Sequence, residues 1–148
     1  MEVTWKTNLW KQEYRLFRGK LIVGLLKKKV WSNEAYGEFN GALLRFKPKG
    51  LWKTDTLIRD IENQRTLGQI HYQALKGSAV IEYEQQEYLW KFDNWKKNSW
   101  SVGNDTESAR FNLNVWKSEG HIEIDYLPAA VVLAGLYTQS YYSTILAT

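Results

Sequence analysis

The chain has 148 residues and a mass of 17.4 kDa, which suits a single domain because domains typically hold about 100–200 residues. Hydrophobic residues make up 44% and charged residues 24%, a composition that excludes a largely disordered or collagen-like chain. The absence of Cys excludes a disulfide scaffold, a Cys-ligated metal centre and a Cys nucleophile. We therefore expect one domain spanning residues 1–148.

The net charge of +4 is unevenly distributed. Residues 1–53 carry twelve Lys and Arg against four Asp and Glu, whereas residues 54–148 carry eight against twelve. A basic half favours an anionic partner such as phosphates or a lipid surface, although solvated strand faces would give the same excess. The first residues are charged and lack the apolar stretch of a signal peptide, so we expect a cytoplasmic protein, with peripheral membrane association as an option.

Alternation of apolar and polar residues predicts β-strands along most of the chain. In the first third the predicted strands are Tyr14–Arg18, Leu21–Leu26, Lys29–Ser32, Tyr36–Phe39 and Ala42–Phe46. Gly19, Gly37, Gly41 and a turn at Lys47–Gly50 punctuate these strands.

Further strands are predicted at Gly68–Ala74, Ala79–Glu84, Tyr88–Asp93 and Phe111–Trp116. The spacing gives about ten to twelve short strands in an antiparallel meander, which indicates a mainly β fold closed into a β-barrel.

The segment from Tyr126 to Thr148 breaks this pattern, because it contains no charged residue. Pro128 near the start of the run predicts a helix over residues 127–146, with Pro in the first turn and Asp125 near its positive end. A helix that is apolar nearly all round must be enclosed by protein or by lipid. Its polar second half speaks against a membrane span, so we place it inside the barrel and keep a tail anchor as the alternative.

Two stretches resemble a known family. Leu57–Ile70, an apolar-Arg-Asp opening followed by a turn and a Leu-Gly-x-Ile strand, and Gly120–Asp125, followed by the helix, are similar to segments of the tubby C-terminal-like superfamily. That superfamily includes tubby proteins, phospholipid scramblases and LURP-one-related proteins. The resemblance implies a barrel of about a dozen strands around a buried C-terminal helix. It also implies recognition of phosphoinositide headgroups by surface Lys and Arg, as in tubby proteins.

The catalytic inventory is thin, with two His, no Cys and no nucleophile or phosphate-loop motif. His71 falls on the polar face of its strand. His121, Glu123 and Asp125 share a strand face, but alternate strand residues stand about 6–7 Å apart, too far for one metal ion without a bend. We expect a non-enzymatic protein with no metal site and no cofactor.

Trp90, Trp95 and Trp100 recur at a spacing of five, with Lys91, Lys96 and Lys97 between them. Aromatic and basic side chains in this pattern can stack on sugars or bases. A spacing of five changes face on a regular strand, so the interpretation we prefer is packing in the core and at the rim.

The candidate binding surface is a cluster of cations that would suit phosphates. An anionic lipid headgroup or membrane surface is the expected partner, and nucleic acid is not. A filled barrel also disfavours the main alternative, a lipocalin-like barrel for small hydrophobic ligands. The cluster comprises Lys27, Lys28, Lys29, Arg45, Lys47, Lys49 and Lys53.

Overall fold

The computed structural model describes residues 1–8, 12–29, 32–50, 54–114 and 118–146, with the backbone alone for residues 145 and 146. It is a mainly β protein with one C-terminal α-helix. The strands are β1 (Glu2–Thr7), β2 (Glu13–Arg18), β3 (Leu21–Lys28), β4 (Ala35–Phe39), β5 (Ala42–Lys49), β6 (Asp55–Asp60), β7 (Thr66–Gln73), β8 (Ser78–Tyr83), β9 (Gln86–Phe92), β10 (Ser99–Gly103), β11 (Ser108–Leu113) and β12 (Glu119–Asp125). The α-helix is α1 (Ala129–Leu146), and Ala74–Lys76 forms a 3-10 turn.

The twelve strands form a closed antiparallel barrel, which confirms the predicted fold. Each strand pairs with the next along the chain, and the ring closes where β1 pairs with β12, with Val3 beside Ile122. In such a meander the connections alternate between two ends. We call the end where β12 leads into α1 the entry end. The opposite end, which holds the connections that follow the odd-numbered strands, is the far end.

The helix α1 runs through the lumen of the barrel from the entry end to the far end. It begins just after Pro128, whose carbonyl oxygen accepts hydrogen bonds from the N–H groups of Val131 and Val132. Every residue from 130 to 142 is buried. The indole of Trp90 on β9 donates to the Gly135 carbonyl at 3.0 Å, which ties the helix to the wall. The prediction of an enclosed helix is therefore correct.

The helix is packed tightly against the wall at its middle. A Cβ added to Gly135 would lie 2.8 Å from Val102 and 2.9 Å from Phe111. Seven residues of the wall that are buried in this core or packed against it are Ile70, Tyr72, Ile81, Trp90, Phe92, Phe111 and Leu113. In the described part of the chain, no helix is long and apolar enough to cross a membrane.

The predicted turn at Lys47–Gly50 is wrong, because β5 continues through Pro48 to Lys49. Pro48 has a strand neighbour on one side only. It lies opposite Thr56 of β6, while β4 begins at Ala35, opposite Phe46. A strand position with one free edge tolerates Pro, since the missing N–H breaks no ladder hydrogen bond.

Three other predictions about strands need correction. Lys29 and Ser32 lie outside the strands, since β3 ends at Lys28 and β4 begins at Ala35. The strands β1 and β10 were not predicted at all. In β10 only Trp100 and Val102 are apolar and buried, and small polar residues surround them.

Candidate anion-binding surface

Cations from β3 and β5 share one outer face of the barrel. Lys27 on β3 lies opposite Tyr36 on β4, which in turn lies opposite Arg45 on β5. Neighbouring strands are about 4.8 Å apart, so the backbones at Lys27 and Arg45 are separated by about 10 Å. Lys47 and Lys49 continue along the same exposed face of β5 toward the far end.

Carboxylates on the flanks of this face already have partners. Glu34 Oε2 forms an ion pair with Lys29 Nζ at 2.9 Å, and Glu13 Oε2 forms one with Arg15 Nη2 at 3.2 Å. Among the described residues no ion pair joins Lys27 or Lys47 to a carboxylate. The positive charge of the face is therefore only partly compensated.

The pKa of Glu34 is sensitive to several of these cations. Its pKa lies below the ordinary value, first because Lys29 donates a hydrogen bond to it, and further because of the positive charges of Lys29, Lys47 and Arg45. A cation lowers a carboxyl pKa in this way when it lies close by. The predicted cluster thus has a spatial core, which we call the basic face: Lys27, Lys29, Arg45, Lys47 and Lys49.

Lys28 does not belong to the basic face. Its side chain turns toward the lumen at the far end, where Nζ donates to Ser140 Oγ at 2.7 Å and to Thr144 Oγ1 at 3.3 Å. Burial lowers its pKa to about 8. A cation beside the last turn of a helix interacts favourably with the helix dipole. Lys28 therefore contacts the C-terminal part of α1 and does not contribute to the outer face. Lys53, the remaining predicted residue, lies outside the described residues.

The two His residues lie on the outer wall. His71 Nδ1 is 2.6 Å from Asp55 Oδ1, and His121 Nδ1 is 3.2 Å from Glu2 Oε1. His121, Glu123 and Asp125 are all exposed on β12, as the alternation predicts. Within the described ranges, no group of three or more His, Cys, Asp or Glu is placed to hold a metal ion.

The three evenly spaced Trp residues have two different environments. Trp90 and Trp100 are fully buried, in agreement with the preferred interpretation, whereas Trp95 is 85% exposed. Trp95 lies in the connection between β9 and β10 at the far end. The adjacent connection, between β7 and β8, contains Leu75, which is also fully exposed. We call residues 74–77 and 93–98 together the paired tips.

The sequence contains a signal for the paired tips that the strand pattern hides. Trp10, Trp31 and Trp52 follow one another at intervals of 21 residues, and so do Trp95 and Trp116. All except Trp95 lie outside the described residues. Trp95 itself lies in the connection that follows β9.

The comparisons with known proteins do not add to this picture. No family model matches the chain, and neither a curated protein nor a solved structure matches it. Functional inference therefore rests on the geometry of the chain itself.

Proposed function

We propose that this chain is a non-catalytic binding domain, of tubby-like type, that holds phosphate-bearing anions on its basic face. The observation that carries the proposal is the strand register, which places Lys27 of β3 and Arg45 of β5 on either side of Tyr36 on one outer face. Lys47 and Lys49 continue this face along β5, and Lys29 adjoins it through its ion pair with Glu34. Lys and Arg side chains form short, charge-assisted hydrogen bonds to phosphate oxygens. A lipid headgroup and a free organic phosphate offer the same chemistry to this surface.

The filled lumen supports a role for the outer surface. Residues 130–142 of α1 are buried against the inward side chains of the wall, so the helix occupies the space that a lipocalin-like barrel would leave for a ligand. The basic face also lies near the far end, where Lys49 ends β5. A planar anionic surface presented to that end can reach several of its cations together.

The experiment compares two variants of equal charge change. The first reverses four residues of the basic face, Lys27→Glu, Lys29→Glu, Lys47→Glu and Lys49→Glu. The control reverses four exposed cations elsewhere on the barrel, Lys6→Glu, Lys20→Glu, Lys91→Glu and Arg110→Glu. Binding is measured to phosphatidylcholine vesicles containing phosphatidylinositol phosphates and, separately, to soluble inositol trisphosphate.

We expect the native chain to bind the anionic vesicles in a salt-sensitive manner. The basic-face variant should bind at least about a hundred-fold more weakly, because each Lys near an anionic membrane contributes about 1 kcal/mol. Circular dichroism checks that both variants are folded. Equal losses of binding in the two variants would show that binding depends on net charge and not on the basic face. Failure of the native chain to bind either probe would overturn the proposal.

A further inference from the structure

The paired tips expose two large apolar side chains to water. Leu75 is fully exposed and Trp95 is 85% exposed. Leu75 lies in a 3-10 turn that Gly77 ends in a left-handed conformation, its N–H donating to the Ala74 carbonyl at 3.2 Å. In the other tip, Asn94 Nδ2 donates to Asn98 Oδ1 at 2.6 Å. Hydrogen bonds within each turn therefore define the two tips from which these exposed side chains project.

The two tips lie side by side. β8 and β9 are paired antiparallel, with Ser78 opposite Lys91, and the N–H of Phe92 donates to the Gly77 carbonyl at 3.4 Å. Their apolar residues thus project from adjacent points of the far end.

Cations surround these apolar side chains. Lys76, Lys96 and Lys97 are exposed in the same two tips, and Lys96 Nζ lies 5.8 Å from the ring of Trp95. The single carboxylate of the tips, Asp93, accepts a hydrogen bond from Ser101 at 3.0 Å. Trp is favoured at membrane interfaces, and Lys is attracted to anionic lipids.

The combination of exposed apolar side chains and Lys residues in the paired tips favours one kind of binding partner over others. A second copy of the chain docked tip to tip would bring three Lys against three Lys, which is unfavourable. A nucleic acid could stack on Trp95 but offers no apolar environment to Leu75. An anionic bilayer provides headgroup charge for the Lys residues and acyl chains for Leu75 and Trp95.

We propose that the paired tips insert Leu75 and Trp95 into an anionic lipid bilayer, so that the far end of the barrel faces the membrane. The inference rests on the proposed function in one respect, since it takes the phosphate groups bound by the basic face to be lipid headgroups of a membrane. It adds an apolar contact and an orientation, neither of which the basic face requires.

The absence of Cys allows a direct test by labelling a single introduced thiol. Trp95→Cys and Tyr126→Cys each receive an environment-sensitive fluorophore. Tyr126 is a matched control, because it is also 85% exposed but lies at the entry end. With vesicles containing phosphatidylserine and phosphatidylinositol phosphates, we expect the label at residue 95 to shift to the blue and the label at residue 126 to stay unchanged.

Affinity gives an independent measure with unlabelled protein. Leu75→Ser combined with Trp95→Ala should weaken vesicle binding by about a hundred-fold or more, since each of the two large apolar side chains contributes about ten-fold or more when it is buried. Binding of inositol trisphosphate should stay as in the native chain.

Each alternative outcome overturns the insertion. If the vesicles bind while the label at residue 95 stays in water, the basic face acts alone and only the proposed function survives. A blue shift at residue 126 would reverse the orientation. Loss of a dimer on Trp95→Ala, measured by analytical ultracentrifugation, would make the tips a contact between copies. Absence of binding to vesicles and to inositol trisphosphate would remove both proposals.

Discussion

The two ends of the barrel enclose different halves of the same helix. Toward the entry end, residues 130–136 of α1 are Ala, Val, Leu and Gly, all buried. Toward the far end, the Tyr137 hydroxyl donates to the Asn33 carbonyl at 2.6 Å and the Tyr142 hydroxyl donates to the Ser78 carbonyl at 2.5 Å. Aliphatic packing stabilises without direction, whereas hydrogen bonds require one rotation and one depth of the helix. The far end therefore positions α1 within the wall, together with the hydrogen bond from Trp90 to Gly135 at the middle of the helix.

The connections at the two ends differ in the same sense. Counting the described residues alone, those at the far end contain four Lys and two acidic residues, and those at the entry end contain two basic and four acidic residues. Polarity inside the lumen and positive charge outside it thus coincide at one end. The two ends therefore differ in the sign of their net charge as well as in the polarity of the helix half that they enclose.

A buried charge should distinguish the two halves of the lumen most strongly. Val132→Asp places a carboxylate in the aliphatic half, where we expect loss of the folded state, since an unpaired buried charge costs about 3–5 kcal/mol. Ser140→Asp places one beside Lys28, whose Nζ is 2.7 Å from Ser140 Oγ, and should cost much less. Urea denaturation followed by circular dichroism measures both. Equal losses would show that the two halves are equivalent.

Two fully buried Trp residues test the hydrogen bond between wall and helix. Trp90→Phe removes the donor to the Gly135 carbonyl, whereas the indole N–H of Trp100 has no acceptor among the described residues. The loss of ring volume is the same in Trp100→Phe. We expect Trp90→Phe to lower the free energy of unfolding by about 1 kcal/mol more than Trp100→Phe. A larger loss in the Trp100 variant would contradict this role of Trp90.

The far end should also give stability a dependence on pH. Because burial lowers the pKa of Lys28 from 10.5 to about 8, the unfolded chain binds more protons between these values, and stability rises as pH increases from about 8. Above pH 10 the buried tyrosines oppose the rise, since burial raises the pKa of Tyr142 to about 12.

Lys28→Met should abolish the rise between pH 8 and pH 10 and stabilise the chain at pH 7, by on the order of 1 kcal/mol. Urea midpoints at several pH values measure the effect. A matched Lys27→Met variant, altered on the outer face, should keep the rise. A Lys28→Met variant with the native pH profile would show that another group is responsible.

Substitutions at the exposed tips should have the smallest effect on stability. Trp95→Ala at the far end and Tyr126→Ala at the entry end each remove an 85% exposed ring, and surface changes usually stay within about 0.5 kcal/mol. The two variants should therefore have similar melting temperatures, although only the first should bind vesicles more weakly. A marked destabilisation by Trp95→Ala would assign that residue to the fold.

The alternation of apolar and polar residues in the sequence predicts much of this architecture. Alternation within β12 correctly separates Ile122 and Ile124 from the exposed His121 and Glu123, and the uncharged run after Asp125 predicts the helix. The same rule should have separated Lys28 from Lys27 and Lys29, because three consecutive strand residues cannot share a face.

Other features could not be predicted because they depend on distant parts of the chain. Pro48 is tolerated only because β4 is shorter than β5 on that side. The convergence of Lys29 and Lys47 on Glu34 requires the register between neighbouring strands. Strand periodicity also does not predict the exposure of a residue in a turn, so the sequence pattern does not distinguish Trp95 from the buried Trp90 and Trp100.

The closing pair of strands has a consequence for folding kinetics. Eleven of the twelve strand pairs join neighbours along the chain, but the last brings Val3 beside Ile122. Local hairpins form early, while the entropy of closing a long loop is lost only at the final pairing. A helix as bulky as α1 cannot enter a ring that has already closed. Docking of the helix must therefore precede or accompany closure of the ring, and we expect the amide protons of β1 and β12 to exchange at least as fast as those of the helix that they enclose.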